Sequence, residues 1–224
     1  QGTDPAITMQ VLATVVPGSA RGFLQKELLQ KLQIKQYEWS SDISGLPKSA
    51  AGSSMCSRDM MKWGHLVLYK GRLNGKQIVP AEFIERATSP LCDPSDTNSY
   101  GFFFWQHDAM VDNTETRCIT CRGAGGQFIF IFPRYDVVAV VTSHNKGMGP
   151  LLKTLPGRLL PYFREDSWRV SEEFIMRSVT AFSWKRFQYL ASAHVRPSPN
   201  AFFGSVYFRL SSRQRRLYMP NDNK

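Results

Sequence analysis

Apolar positions follow two rhythms along this chain, and the change from one to the other divides it. Up to about residue 90 they recur at helical spacing. Residues 6–16, AITMQVLATVV, are apolar enough to predict a buried helix, ended by Pro17-Gly18. Ser19 is placed to cap the next helix, in which Phe23, Leu24, Leu28, Leu32 and Ile34 form one stripe. Gly, Pro and Ser then mark 35–52 as a loop, anchored by Tyr37 and Trp39. Ser57 opens RDMMKWGHLVLYK as its cap, and Met60, Met61, Trp63, Leu66, Val67 and Leu68 predict a mostly buried helix. After a turn-rich excursion at 71–80, Pro80 suits the first position of a short helix whose Glu82 and Glu85 match the positive N-terminal end.

Beyond residue 98 the rhythm shortens to that of strands. SYGFFFWQH, ETRCITCRG, GQFIFIFP and DVVAVVTS are rich in aromatic or β-branched residues and are separated by turn residues. Residues 115–143 are therefore expected to form three consecutive antiparallel strands, covered on one face by a helix at 147–163 that is interrupted near Pro156-Gly157. Helices, then an antiparallel sheet, then a closing C-terminal helix define an α+β fold for residues 1–164. Residues 165–224 read as a basic appendage, part helical and part disordered. Ser171, Glu172 and Glu173 start an amphipathic pattern carried by Ile175, Val179, Phe182 and Leu190, after which no period persists.

Composition narrows the function classes. With 224 residues and 42% hydrophobic content, one substantial core is affordable, and no run reaches the length of a membrane span. The N-terminus has neither a starting Met nor a signal-peptide pattern, so the chain is expected to begin within a longer protein, and no compartment follows from it. The net charge of +10 suggests nucleic acid, but residues 1–164 hold 18 Lys and Arg against 13 Asp and Glu, and 165–224 hold 10 against 5. The excess is spread out. Arg213, Arg215 and Arg216 form the one compact basic cluster, and no nucleic-acid partner is expected.

Metal and cofactor chemistry find little support. Cys118 and Cys121 have CxxC spacing, but in a strand they face opposite ways, and Cys56 and Cys92 stand apart. His65, His107, His144 and His194 show no ligand spacing with them, so the four cysteines read as buried free thiols and neither metal nor cofactor is expected. His107 and Asp108 fail as an acid/base pair for the same strand-parity reason.

A wider pattern emerges from LPKSAAGSSMCSRDMMKWGHLVLYKGRLNGKQIVPAEFIERATSP, YGFFFWQH and RGAGGQFIFIFPRYDVVAVVTSHN taken in order. From about residue 6 to about residue 163 the chain resembles the serine β-lactamase-like family: penicillin-binding proteins, class C β-lactamases and, nearest in flavour, 6-aminohexanoate-dimer hydrolases. The resemblance implies the C-terminal part of a β-lactamase/transpeptidase-like fold. It also implies a parent that hydrolyses a small amide, ester or β-lactam through an acyl-enzyme. That chemistry needs a serine and a lysine one helical turn apart, S-x-x-K, a relaying tyrosine, and backbone N–H groups for the oxyanion.

Most of that machinery has no counterpart in these residues. The one literal S-x-x-K, Ser143 to Lys146, leaves a strand rather than lying on a helix and reads as coincidence; no Y-x-N or K-T-G occurs. By resemblance, the strand of the K-T-G-type box corresponds to Cys121-Arg122-Gly123-Ala124, with Gly123 and Ala124 as the candidate oxyanion region and the Ala124 N–H as donor. Gly125 and Gly126 carry two readings, a tight reversal or close backbone approach to substrate, and Gln127 follows them. Tyr100 and Trp105 border the cleft on one reading and are core on the other. Function stays divided between a hydrolase fragment, inactive alone, and a non-catalytic binding protein of the same fold acting through 165–224. The oligomeric state is left open.

Overall fold

The computed structural model describes residues 3–143, 149–163 and a strand at 204–209. Its N-terminal part is helical. Helix α1 (Thr3–Val15) is followed by α2 (Ala20–Leu24), which runs into a π-helical turn at Gln25–Leu29. Ser19 caps α2 as its sequence predicts, its hydroxyl accepting from the Gly22 N–H at 3.1 Å. The expected burial of the first helix does not hold: Met9 alone is buried, while Ile7, Val11 and Val15 share an outward face. An apolar segment buries only where another element faces it, and none of the described residues covers this side.

A short hairpin follows, β1 (Tyr37–Trp39) with β2 (Ser53–Met55), and Tyr37 and Trp39 do anchor the intervening loop against Leu29, Leu32, Ile34 and Leu66. Helix α3 (Ser57–Leu68) starts one residue earlier than a Ser57 cap requires. Cys56 holds the cap position, and its thiol donates to the Asp59 carboxylate at 3.3 Å. Gly64 lets α3 approach the sheet closely, since a Cβ there would press on Val138 and lie 3.0 Å from the Ile129 side chain. The β3 (Arg72–Leu73) and β4 (Lys76–Gln77) hairpin and helix α4 (Ala81–Ala87) complete this part, with Pro80 one position before the helix rather than in it.

Seven strands make the main sheet: β5 (Cys92–Ser95), β6 (Asn98–Tyr100), β7 (Trp105–Val111), β8 (Thr114–Gly123), β9 (Gln127–Phe132), β10 (Val137–Ser143) and β11 (Gly204–Arg209). They lie in the order β11-β10-β9-β8-β7-β6-β5, every neighbour antiparallel. The three strands expected across 115–143 are therefore present and consecutive. Helix α5 (Gly149–Leu159) covers one face through Leu151, Leu152, Leu155 and Leu159, which pack on Phe128, Phe130, Phe132, Val137, Ala139 and Val141. Helix α3 covers the other, against Ile119, Ile129, Ile131, Val138 and Val140.

Two further sequence expectations are corrected. Helix α5 passes through Pro156-Gly157 without a break, with Pro156 buried, and tightens into a 3-10 turn only at Leu160–Phe163. Burial of the ring on the sheet offsets the hydrogen bond that a helical proline forfeits. Cys118 is buried and Cys121 partly so, on opposite faces as strand parity demands, but Cys56 and Cys92 are exposed, near the start of α3 and on the edge strand β5. The amphipathic pattern at 171–192, His144, Lys146, His194 and the cluster Arg213, Arg215 and Arg216 lie outside the described residues.

Candidate functional site

The site is built from the end of β8 and what packs around it. Gly123 pairs with Gln127 across the hairpin, leaving Ala124, Gly125 and Gly126 as its tip. Gly125 and Gly126 take φ of 84° and 93°, a left-handed backbone that glycine adopts without Cβ strain. Ala124 is exposed, and among the described residues its N–H and that of Gly125 have no partner, while the Gly126 N–H donates to the Gly123 carbonyl at 3.3 Å.

β10 braces this tip. The Ser143 hydroxyl donates to the Gly126 carbonyl at 2.8 Å, and the Gln127 side-chain amide donates to the Ser143 carbonyl at 2.9 Å. The serine of the literal S-x-x-K therefore lies at the end of a strand with its hydroxyl committed to a backbone carbonyl. Two of the five sequence candidates for substrate contact, Gly125 and Gly126, form the tip, and Gln127 ties it down.

Trp105 stands one strand over, on β7, and Tyr100 two strands over, on β6. Their rings meet at 4.7 Å, tilted by 57°, and both are half-buried. Burial pushes the Tyr100 phenol above its ordinary value, with the Asp4 carboxylate adding to the shift.

The residue that sequence reasoning passed over is Arg122. Trp105 and Thr120 are cross-strand partners, as are His107 and Cys118, so Trp105, His107, Thr120 and Arg122 share one sheet face. The guanidinium lies over the Trp105 ring at 4.8 Å. Its Nε donates to Thr120 Oγ1 at 2.9 Å, and Nη2 donates to Asn98 Oδ1 at 2.9 Å and approaches His107 Nδ1 at 3.2 Å. Period-2 alternation placing Arg122, Thr120 and an aromatic strand on one side was the available signal.

His107 behaves accordingly. Burial lowers its pKa first and the Arg122 charge second; the Leu152 backbone and Asp108 oppose this more weakly. A neutral ring accepting from Arg122 at Nδ1 carries its proton on Nε2. That atom is buried and makes no hydrogen bond of good geometry among the described residues. The Leu152 backbone beside it belongs to a carbonyl that Pro156, lacking an N–H, cannot engage four residues on. Asp108 is exposed and pairs with Arg117 across the strand, so it and His107 do not form an acid/base pair. Burial pushes the thiols of Cys118 and Cys121 up to about 12 each, which leaves them un-ionised. Among the described residues no group of three or more His, Cys, Asp or Glu could hold a metal, and no helix is long and apolar enough to cross a membrane.

This arrangement, a helix-backed antiparallel sheet with a glycine hairpin at the end of one strand, is the serine β-lactamase and penicillin-binding-protein fold over part of the chain. In particular, it superposes with a TM-score of 0.52 on a Bacillus anthracis protein assigned as a 6-aminohexanoate-dimer hydrolase, at 23% identity, covering 62% of this chain and 36% of that one. A penicillin-binding protein from Bacillus halodurans matches with a TM-score of 0.46 at 11% identity, covering 60% of this chain and 48% of the other. In sequence, an uncharacterised protein of Alkalihalophilus pseudofirmus is 25% identical over 165 residues, 61% of this chain and 49% of its own length. The chain thus spans about half the length of that curated relative. No protein-family model matches the sequence.

Proposed function

We propose that the chain supplies the oxyanion side of a β-lactamase-like serine hydrolase site, with Ala124, and Gly123 before it, as the backbone region that faces a developing oxyanion. The observation that carries this reading is the pair of unpartnered N–H groups at Ala124 and Gly125, held on a braced glycine turn at the end of β8. Two fixed donors of this kind stabilise charge on a tetrahedral adduct without having to reorganise. The substrate class of the complete site is a small amide, ester or β-lactam. The name assigned to the Bacillus anthracis relative, a 6-aminohexanoate-dimer hydrolase, favours an amide among these.

Among the described residues no serine and lysine are disposed to attack. Ser143 is the only serine with a lysine three residues on, and its hydroxyl is spent on the Gly126 carbonyl. The chain on its own is therefore inactive in this reading, since an oxyanion donor cannot act on an adduct that never forms. Loss of the nucleophile costs on the order of 10⁶ in kcat in dissected serine hydrolases.

The purified 224-residue chain is expected to take up no fluorophosphonate or penicillin label and to leave p-nitrophenyl esters and a chromogenic cephalosporin uncleaved above background. Stoichiometric labelling at Ser143, lost in Ser143→Ala and Lys146→Ala, overturns the assignment and makes that pair the nucleophile.

A further inference from the structure

Among the described residues Arg122 is a half-buried cation without a counterion. Among the described residues the four ion pairs involve Lys26, Lys31, Lys62 and Lys70, and no carboxylate lies within pairing distance of its guanidinium. Its orientation is fixed nonetheless. Thr120, Asn98 and His107 occupy Nε and Nη2, and Trp105 lies against its flat face. Every one of these partners is neutral: a hydroxyl, an amide, a ring and an imidazole that burial and the neighbouring charge keep from protonating. Nη1 keeps both N–H donors, with no partner among the described residues.

A guanidinium held in one geometry, stripped of part of its water and left with a free donating edge is arranged to receive an oxyanion. The single positive charge suits a single negative one. The Trp105 ring and the Tyr100 ring tilted against it offer apolar surface to whatever carries that charge.

We propose that Arg122 anchors a binding site for a small monocarboxylate, its carboxylate oxygen on Nη1 and its apolar portion against Trp105. The site stands apart from the acyl-transfer reading, because neither the Ala124 N–H nor any nucleophile takes part. Asn98 and Thr120 act as positioning residues for the guanidinium.

The test follows the Trp105 indole and Arg122 Nε–H resonances of the ¹⁵N-labelled full chain while sodium benzoate is added at constant ionic strength, with benzamide and inorganic phosphate as parallel probes. Saturable shifts with benzoate at millimolar concentration, and none with benzamide, are expected. Arg122→Gln should weaken benzoate at least about tenfold, and Asn98→Ala severalfold, whereas Arg86→Gln, on the exposed Arg86 that lies over Phe102, should leave it unchanged. If Arg122→Gln fails to melt cooperatively, Arg122→Lys, which keeps the charge but loses the planar fork, should still show severalfold weakening. The proposal falls if benzoate gives no saturable shift, if benzamide matches it, if phosphate binds more tightly, or if the Arg122 and Asn98 variants bind as the unmodified chain does.

Discussion

The two ends of the main sheet reach closure by opposite means. Around β9 and β10, Phe128, Phe130, Phe132 and Val137 to Val141 are buried on both faces, with α5 on one side and α3 on the other. Around β6, β7 and the end of β8, the same sheet is finished by Asn98, Tyr100, Trp105, Thr120 and Arg122, joined by directed hydrogen bonds, a tilted ring contact and a cation over a ring. The first end is held by non-directional area, so any well-fitting apolar residue serves. The second depends on which atom meets which, and there the Arg122 Nη1 donors keep no partner among the described residues although α5 packs beside β7. Chemistry that needs water-exposed, pre-oriented groups belongs at the second end.

The comparison predicts its own largest effect. Phe130→Ala removes a fully buried ring stacked on Phe132 at 5.9 Å and in contact with Phe128, and should cost about 3–5 kcal/mol by the shift of the urea midpoint. Tyr100→Ala, taking a ring of similar size from the half-buried end, should cost less than half as much. Equal losses would mean that the two ends are closed in the same way. Next in size is Gly64→Ala. The added methyl presses on Val138 and Ile129 where α3 meets the apolar end, for about 1–3 kcal/mol of overpacking that the gain in helix propensity only partly offsets.

The same contrast decides what could be read from sequence. Strand rhythm and turn residues announced β8, β9, β10 and their α5 cover, because burial on both faces leaves long apolar runs that only strands at this spacing explain. The glycine hairpin was also visible, since Gly125 and Gly126 signal a reversal before any coordinates exist. Burial of α1 was misjudged, because apolar content says a helix can be buried but not that a partner element is there. Cys56 and Cys92 were misjudged likewise, their surroundings being set by one cap position and one edge strand. The Arg122 cluster joins residues 98, 105, 107, 120 and 122 from three strands, and its contacts depend on register that no single-strand pattern encodes.

A smaller effect sharpens the border between the two ends, where β10 meets the hairpin tip. Ser143→Ala deletes the hydroxyl that donates to the Gly126 carbonyl, and a partly exposed hydrogen bond of this kind is worth about 0.5–1.5 kcal/mol. Amide exchange at Gly125 and Gly126 should accelerate while that at Ile129 and Phe130 stays as it was. Faster exchange across all of β9 would show that the tip and the apolar core open as one unit.

The smallest effect is a pH dependence carried by one imidazole of the polar end. His107 has its folded pKa lowered below the ordinary value of 6.5, burial first and Arg122 second. In the unfolded chain the same ring takes up a proton at higher pH, so between the two values the unfolded state binds more protons and stability rises with pH. The contribution is thus fully present above pH 6.5 and is lost as the pH falls through 6.5 toward the folded value. Urea midpoints measured from about pH 8 down to about pH 5 should fall more steeply for the unmodified chain than for His107→Gln, which cannot titrate. The other three histidines are common to both proteins, so the difference between the curves isolates His107. Parallel curves would mean that His107 keeps its ordinary pKa, and that the Arg122 charge is answered by a carboxylate close enough to cancel its effect on the ring.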